Sequence, residues 1–326
     1  MLHLAQNVQD QNLLMEAHAV LGIILFYLGE LALSRTHLEQ RIALDDPLQH
    51  HTLTILYGGV DPEVHCLSYT IATLWLLGYP TQALKMSHET LTLARELSHY
   101  FSLAMALSWV TMLHQFRREE QTVQERAEAM IILCREKEIA GGSLWGVALQ
   151  GWALAEQRQG EKGIAQIRQS LTAWRTVGRA GMQTYALVLL AEAYGRVGQV
   201  EEGLRTLAEA LAVVNKTGER WYEAELYRLK GELSLKSRQV KTSPESEVRS
   251  PESEAEECFW KAIEIARQQQ AKSLELRAVM SLSRLWQQQG RQEEARQRLA
   301  EIYGWFTEGF DTMDLQEAKA LLEELA

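Results

Sequence analysis

A forty-residue internal repeat is the feature that most constrains the fold of this chain. The segments GWALAEQRQGEKGIAQIRQSL, from Gly151, and AEAYGRVGQVEEGLRTLAEAL, from Ala191, align without a gap. One series of equivalent sites runs Ile71, Thr111, Gly151, Ala191, Gly231, and a second runs Ala83, Val123, Gly163, Gly203, Ala255, Ala295. Both series contain one longer step near the C-terminal end, from Gly231 to Ser283 and from Gly203 to Ala255, so one repeat carries an insertion. A period of this length is typical of stacked supersecondary units.

Each repeat is predicted to be a helical hairpin. Apolar residues recur at helical spacing beside the equivalent sites, and small residues at those sites would let two helices cross closely. Only five prolines occur, with none between Pro80 and Pro244, which favours helices nearly throughout. Stacked hairpins bury the apolar face that one hairpin leaves open. The sequence therefore predicts an all-α, right-handed α-solenoid of about seven hairpins, at residues 13–43, 62–97, 101–137, 144–177, 183–216, 219–270 and 272–305.

The predicted domain organisation is one solenoid followed by a cap. Residues 1–310 form the solenoid, in which residues 236–254 are expected to be a flexible insertion because they are polar and repeat SPESE. A second interruption is the loop from Asp45 to Asp61. Residues 311–326 are expected to form a C-terminal capping helix, because DLQE from Asp314 resembles a capping box.

Composition and motifs exclude several classes of protein. A net charge of −10 with no basic stripe argues against nucleic acid as a binding partner. The apolar run from Ala17 to Gly29 is too short to span a bilayer, and the N-terminus has no signal pattern. Three scattered cysteines fit a reducing cytoplasm. The absence of GxxxxGK[ST], HExxH and GxSxG predicts neither a cofactor nor a catalytic residue.

Two chemical sites are weighed and disfavoured. His50, His51, His65 and Cys66 cluster in sequence, but adjacent residues make poor chelates, so no metal site is predicted. Glu192 and Glu232 lie one repeat apart, at a separation that could suit a pair of catalytic carboxylates. The sequence shows no aromatic sugar platform beside them. An enzyme that uses these carboxylates is kept only as a minor alternative.

The first helices of the hairpins are expected to line a concave groove that binds a partner. Early repeats supply aromatic and methionine side chains to this face, whereas later repeats supply charged ones. Such residues mark adaptable binding surfaces, although packing between neighbouring hairpins explains them somewhat better. The candidate groove residues are Tyr69, Trp75, Met105, Trp109, Met112, Phe116, Trp145, Trp152, Tyr185, Glu192, Arg196 and Arg228.

The hairpins resemble tetratricopeptide (TPR) repeats. The turn pairs Leu28-Gly29, Leu77-Gly78 and Val197-Gly198 are each followed five residues later by a small residue, as in that pattern. The period is 40 and not 34, and no proline closes each repeat, which implies longer helices. At finer grain the chain is similar to the TPR-like C-terminal region of bacterial STAND-type signalling ATPases, including cyclase–ATPase fusions and LuxR- or maltose-activator-like regulators. The matching segments include FYLGELALSRTHLEQ, CLSYTIATLWLLGYPTQAL, QGWALAEQ, AEAYGRVGQVEEGL, TGERWYEAELYRLKGEL and IYGWFTEGFDTMDLQEAKALLEEL.

The resemblance implies a non-catalytic regulatory module. Its concave face would bind a protein segment or a small inducer, and its state would bias an ATPase or cyclase module in cis or in trans. Self-association is also expected, because a solenoid ends in open helical faces. A scaffold without a ligand, a split-gene product and a fragment of a larger ATPase or cyclase remain alternatives.

Overall fold

The structure is a computed structural model that describes residues 10–44, 59–139, 141–176, 182–237 and 250–326. Within these ranges the chain forms fifteen helices and no strand. The helices are α1 Gln11–Leu28, α2 Leu31–Ala43, α3 Pro62–Leu76, α4 Pro80–Glu96, α5 Tyr100–Phe116, α6 Glu120–Glu136, α7 Ser143–Glu156, α8 Gly160–Thr176, α9 Gln183–Arg196, α10 Val200–Thr217, α11 Glu223–Ser237, α12 Pro251–Gln268, α13 Lys272–Gln288, α14 Gln292–Tyr303 and α15 Met313–Glu324.

The predicted solenoid of about seven hairpins is confirmed. Helices α1 to α14 pair in chain order into seven hairpins, and α15 follows them as the predicted last helix. Asp61 and Pro62 begin α3 as expected: the Asp61 carboxylate accepts hydrogen bonds from the backbone N–H groups of Glu63 and Val64, both at 3.0 Å. Most of the 45–61 loop and of the 236–254 insertion lies outside the described residues.

Close helix crossing explains the repeating small residues. Gly151 and Gly163 face each other in the α7–α8 hairpin, where a Cβ on Gly163 would lie 2.3 Å from the backbone carbonyl oxygen of Gly151. In the first hairpin, Ser34 Oγ donates a hydrogen bond to the Gly22 carbonyl oxygen at 2.7 Å. Both pairs are buried, and the two members of each pair have the same separation along the chain. The equivalent sites therefore mark where the two helices of a hairpin touch.

The turn inside a hairpin also repeats. Gly78, Arg118, Arg158 and Gly198 follow one another at the repeat length, and each has a positive φ, of 90°, 61°, 66° and 79° respectively. Left-handed backbone suits glycine best, yet two of the four positions carry arginine. The turn geometry is therefore set by the hairpin, and glycine is one way of accommodating it.

The two helices of a hairpin occupy different layers. Nearly every residue of α3, α5 and α13 is buried, whereas α4, α6 and α14 each bury one stripe. A helix that is apolar all round lies between other elements, and a helix with one apolar stripe lies at the surface. The first helices therefore form the inner layer of the solenoid and the second helices the outer layer.

The solenoid closes on itself, because its C-terminal helices contact its N-terminal hairpins. Ser273 Oγ, on α13, donates to the carbonyl oxygen of Trp75, on α3, at 2.5 Å. The Glu308 carboxylate accepts from the backbone N–H groups of Thr81 and Gln82, at the start of α4, at 3.0 and 3.1 Å. A Cβ on Gly78 would lie 2.6 Å from the indole of Trp305. These contacts turn the inner layer into a closed ring.

Helix α1 corrects one expectation from the sequence. The apolar run that starts at Ala17 lies in an 18-residue helix that ends at Leu28, with Gly29 as its C-cap, and among the described residues α1 is the one helix long and apolar enough to cross a membrane. Length and composition of this kind are shared by core helices. Here Phe26 is fully buried, and its ring stacks on that of Trp221 with centroids 5.0 Å apart.

Candidate functional site

The aromatic and methionine part of the predicted groove is core. Of its members, Met105 is half-buried and the others are at most 7% exposed, namely Tyr69, Trp75, Trp109, Met112, Phe116, Trp145, Trp152 and Tyr185. An accessible recognition stripe on these residues is therefore wrong in this structure. Packing between adjacent hairpins is one physical reason, as in the contact between the Tyr69 and Trp109 rings. Ring closure is the other, because it brings side chains of distant hairpins together on the inner face.

The ring interior is filled by contacts between adjacent repeats and between distant ones. The Trp109 ring lies 4.3 Å from that of Tyr69 and 5.8 Å from that of Phe26, and Phe26 stacks on Trp221. The Tyr185 hydroxyl donates to Gln115 Oε1 at 2.7 Å, which satisfies a phenol that is otherwise fully buried. Aromatic pairs in offset and edge-on arrangements add to the stability gained from burial. Trp221 precedes α11 and lies outside the predicted set, although it belongs to the TGERWYEAE segment.

The charged part of the predicted groove lines a cavity of about 240 Å³. Glu192, Arg196 and Arg228 face this cavity together with Trp152. Further charged side chains come from α7, α11, α13 and α15 and from the turn after α5. They are Arg118, Glu156, Glu232, Lys236, Arg277, Arg284, Asp314 and Glu317. The inner-face residues of the late repeats thus converge on one cavity, whereas those of the early repeats are buried in the core.

A buried ionic network forms the floor of the cavity. Arg228 pairs with Glu225 at 2.6 Å and with Glu232 at 2.5 Å, and Arg277 pairs with Asp314 at 2.6 Å. Burial alone would raise the pKa of Glu225, but Arg228 and Arg277 outweigh it and hold that pKa below its usual value. Removal of one partner would leave a buried charge uncompensated, so this floor is a fixed part of the structure.

Glu192 differs from the other carboxylates of the cavity. Its Oε2 accepts a hydrogen bond from Trp152 Nε1 at 3.0 Å. Burial, together with the negative charge of Glu225, raises the pKa of Glu192 to about 7. At neutral pH this carboxyl therefore exchanges between its neutral and charged forms, and the charge of the cavity changes with it.

The rim of the cavity carries more accessible ion pairs. Arg196 pairs with Glu156 at 2.7 Å, and Glu317 pairs with both Arg118, at 2.7 Å, and Arg284, at 2.8 Å. Arg118, Glu156 and Glu317 lie outside the set of groove residues predicted from the sequence. The sequence feature that could have identified Glu156 as a site residue is its position four residues after Trp152 on the same helix. Arg118 and Glu317 are 199 residues apart in the chain, so only ring closure brings them together.

The structure gives different outcomes for the two chemical sites weighed from the sequence, the histidine–cysteine cluster and the Glu192–Glu232 pair. No group of three or more potential metal ligands lies within the described ranges; His50 and His51 fall outside them. Burial lowers the pKa of His65 to about 4, which keeps it neutral. Glu232 lines the same cavity as Glu192, but its Oε1 already accepts from Arg228 at 2.5 Å and from Ser281 at 2.8 Å.

The sequence is similar to a protein family over part of its length and to a longer protein over most of it. The family described as anaphase-promoting complex subunit 5 matches residues 64–117 and 253–326, which are the two parts of the chain that ring closure brings together. An uncharacterized protein of Rhizobium meliloti (strain 1021) is 23% identical over 260 residues, which cover 80% of this chain and 24% of that protein. The chain thus spans about a quarter of the length of that relative.

Solved structures identify the fold. A Rap protein complexed with competence and sporulation factor is similar with a TM-score of 0.63 and 14% identity, over 95% of this chain and 87% of that one. The apo form of RapI is similar with a TM-score of 0.53 and 10% identity, over 95% and 99% of the two chains. The chain has a TPR-like helical-repeat fold.

Proposed function

We propose that this chain is a non-catalytic regulatory module whose charged cavity binds a segment of a partner protein or a small inducer. One observation carries the proposal: side chains from four successive first helices, α7, α9, α11 and α13, converge with α15 on one cavity. Ligand sites occur preferentially in concavities with a few convergent polar groups. The similar Rap protein complexed with competence and sporulation factor adds support from the likeness of fold.

We place the module in a bacterial signalling protein of the cytoplasm. The support is the resemblance of its segments to the repeat region of STAND-type ATPases, together with three buried cysteines, Cys66, Cys134 and Cys258, that form no disulfide within the described residues. Its partner would be an ATPase or cyclase module, in the same chain or in another. Ligand binding would act on that module by changing how the ring is closed.

Self-association is a further part of the proposal. The first hairpin exposes Leu13, Ile24, Leu28 and Leu33, which are 43%, 49%, 46% and 52% accessible. Several exposed apolar side chains on one hairpin are typical of an interaction surface. A concentration-dependent mass in analytical ultracentrifugation would support a contact between copies, and replacing Ile24 and Leu33 with serine should abolish it. A single monomeric species at all concentrations would contradict it.

The raised pKa of Glu192 is the observation that favours the alternative, an enzyme that uses Glu192 and Glu232. A general acid needs such a pKa. However, burial and Glu225 account for the shift, and Glu232 is held by Arg228 and Ser281. The nearest indole, that of Trp152, is 3% exposed, so it offers no stacking face for a sugar. Binding is therefore the better-supported function.

Selection of peptides tests the proposal. A random peptide library displayed on phage is panned against the unmodified chain and against the double variant Arg196→Ala/Arg284→Ala, which changes the cavity rim. The control is Arg205→Ala/Arg298→Ala, which removes two exposed, ion-paired arginines that do not line the cavity. Peptides retained by the unmodified chain and the control, but lost by the cavity variant, support a concave binding site. Selected peptides that bind all three proteins equally would contradict it.

A further inference from the structure

The C-terminal helix supplies a carboxylate to the rim of the cavity. Glu317, on α15, accepts a hydrogen bond from Arg118 through Oε1 at 2.7 Å and one from Arg284 through Oε2 at 2.8 Å. A single carboxylate therefore bridges two guanidinium groups, one after α5 and the other on α13. Hydrogen bonds between guanidinium and carboxylate groups are strong and directional. Glu317 holds α15 across the ring in this way.

This bridge is accessible, unlike the neighbouring pair on the same helix. The side chains of Arg118, Arg284 and Glu317 are 35%, 45% and 30% exposed. The Arg277–Asp314 pair, one turn away, is about 10% exposed, and Arg277 also donates to the carbonyl oxygen of Phe116 at 2.7 Å. An exposed ion pair contributes little free energy, whereas a buried one is costly to break. An incoming anion can therefore replace Glu317 but not Asp314.

The charges around the bridge select the kind of anion. Glu156, Glu192 and Glu232 line the same cavity, so a polyanion such as a nucleic-acid backbone would be repelled. One carboxylate placed on Arg118 and Arg284 would restore the pairing that Glu317 now provides. An acidic side chain within an otherwise uncharged protein segment meets both conditions.

We propose that Glu317 occupies the place of an acidic side chain of the bound protein segment, and that α15 is a built-in competitor for the cavity. The ligand carboxylate replaces Glu317 on Arg118 and Arg284. The side of α15 that faces the cavity is then released from these two arginines. This inference rests on the proposed function and specifies its ligand. Leu315, Ala318 and Leu321 are buried in the core, so α15 loosens without leaving the core.

Calorimetric titration of two matched peptides tests the inference. The probes are acetyl-Ala-Ala-Glu-Ala-Ala-amide and its glutamine counterpart, added to the full chain, to Glu317→Gln and to Glu324→Gln. Glu324 is exposed on the same helix and lines no part of the cavity, so it controls for the change in charge. Loss of the competing charge should make Glu317→Gln bind the glutamate peptide about fivefold more tightly than the full chain does. Glu324→Gln should match the full chain, and the glutamine peptide should show no gain.

Amide hydrogen exchange supplies a second measurement. Binding of the glutamate peptide to the full chain should speed exchange at the amides of α15 and slow it in α9 and α11. Equal affinity of Glu317→Gln and the full chain for the glutamate peptide, or no binding by Glu317→Gln, would overturn the inference. Peptide selection decides the proposed function separately. An equal gain in affinity for acetate would assign the rim to small carboxylates and overturn the assignment to a protein segment.

Discussion

Trp152 and Glu192 stand one repeat apart and are joined by a hydrogen bond of 3.0 Å, from the indole Nε1 to the carboxylate Oε2. Trp152 is 3% exposed and belongs to the aromatic interior of the ring, yet it also lines the charged cavity together with Glu192. The bond therefore lies at the boundary between the filled and the open parts of the inner surface. Its acceptor is also the carboxyl whose pKa is raised to about 7, so its charge depends on pH near neutrality.

Replacing Glu192 with glutamine should change how stability depends on pH. The folded chain holds the Glu192 proton up to a pKa of about 7, against 4.5 for an ordinary glutamate, so the folded state binds more protons between these values. Stability is therefore lost as pH rises through this window. Glutamine keeps an oxygen for the Trp152 indole and carries no charge. The free energy of unfolding, measured by urea denaturation, should be higher for Glu192→Gln than for the unmodified chain by on the order of 1–3 kcal/mol at pH 8. Near pH 5 the two proteins should be equally stable.

An exposed glutamate provides the control for this comparison. Glu202→Gln, on α10, removes a carboxylate that is 45% exposed and should leave the pH dependence unchanged. Burial also raises the pKa of Glu16 and Glu219 to about 7. Together with Glu192, three glutamates therefore make the unmodified chain less stable as the pH rises. Glu192→Gln should remove only part of that loss. A stability difference that is the same at pH 5 and at pH 8 contradicts the assignment to Glu192.

Alanine substitutions at two phenylalanines of one helix should distinguish core packing from an exposed recognition stripe. Phe116 is 1% exposed and its ring lies 5.9 Å from that of Tyr185, whereas Phe101, at the other end of α5, is 44% exposed. Phe116→Ala should lower the free energy of unfolding by about 3–5 kcal/mol, because it leaves a cavity in the ring interior. Phe101→Ala should cost less than about 1 kcal/mol. Chemical denaturation of both variants measures the difference, and equal losses would contradict the burial of the ring interior.

The hairpins could be predicted from the sequence because their contacts are local. Gly151 and Gly163 meet within one hairpin, a short stretch of chain apart, so their pairing repeats with the register and is visible in it. The charged end of the inner surface followed from the same register: Glu192, Arg196 and Arg228 do share a cavity. Helical periodicity and one repeat length were sufficient for both results.

Ring closure could not be predicted in this way. The contact of Ser273 with Trp75 spans 198 residues, and it depends on a small rotation that accumulates over several hairpins. No local pattern encodes the sum of these rotations. Residues such as Trp109 therefore fit an open groove as well as a filled ring, and Glu317 gave no sign of facing Arg118. The sequence determines the repeat unit, while the packing of distant units decides which of its faces is accessible.

Adding a methyl group at Gly163 should test the close crossing inside a hairpin. A Cβ there would lie 2.3 Å from the Gly151 carbonyl oxygen, which is backbone and cannot move aside, so α7 and α8 must separate. Gly163→Ala should lower the free energy of unfolding by about 1–3 kcal/mol, although alanine is the better helix former. Thermal denaturation measures the loss. Gly195→Ala is the control, because its nearest neighbour is the movable end of Leu233, at 2.9 Å. An equal or smaller loss at Gly163 would exclude a backbone contact.

Gly78 and Gly198 form a matched pair that isolates the closure of the ring. Both lie in the turn of a hairpin, with φ of 90° and 79°, so alanine meets the same backbone strain at each. A Cβ on Gly78 would also lie 2.6 Å from the Trp305 indole and 2.8 Å from Lys272 Cβ, whereas a Cβ on Gly198 would meet nothing within 4 Å.

Gly78→Ala should therefore be less stable than Gly198→Ala by about 1–3 kcal/mol in urea denaturation, because only the first displaces the contact between the two ends of the solenoid. Small-angle X-ray scattering should show a larger radius of gyration for Gly78→Ala and no change for Gly198→Ala. Since Trp305 precedes α15 in the chain, opening the ring at Gly78 should also loosen Glu317 from Arg118. Gly78→Ala should then bind the glutamate peptide more tightly than Gly198→Ala does. Equal stability and equal radius in the two variants would mean that the Trp305 contact does not hold the ring closed.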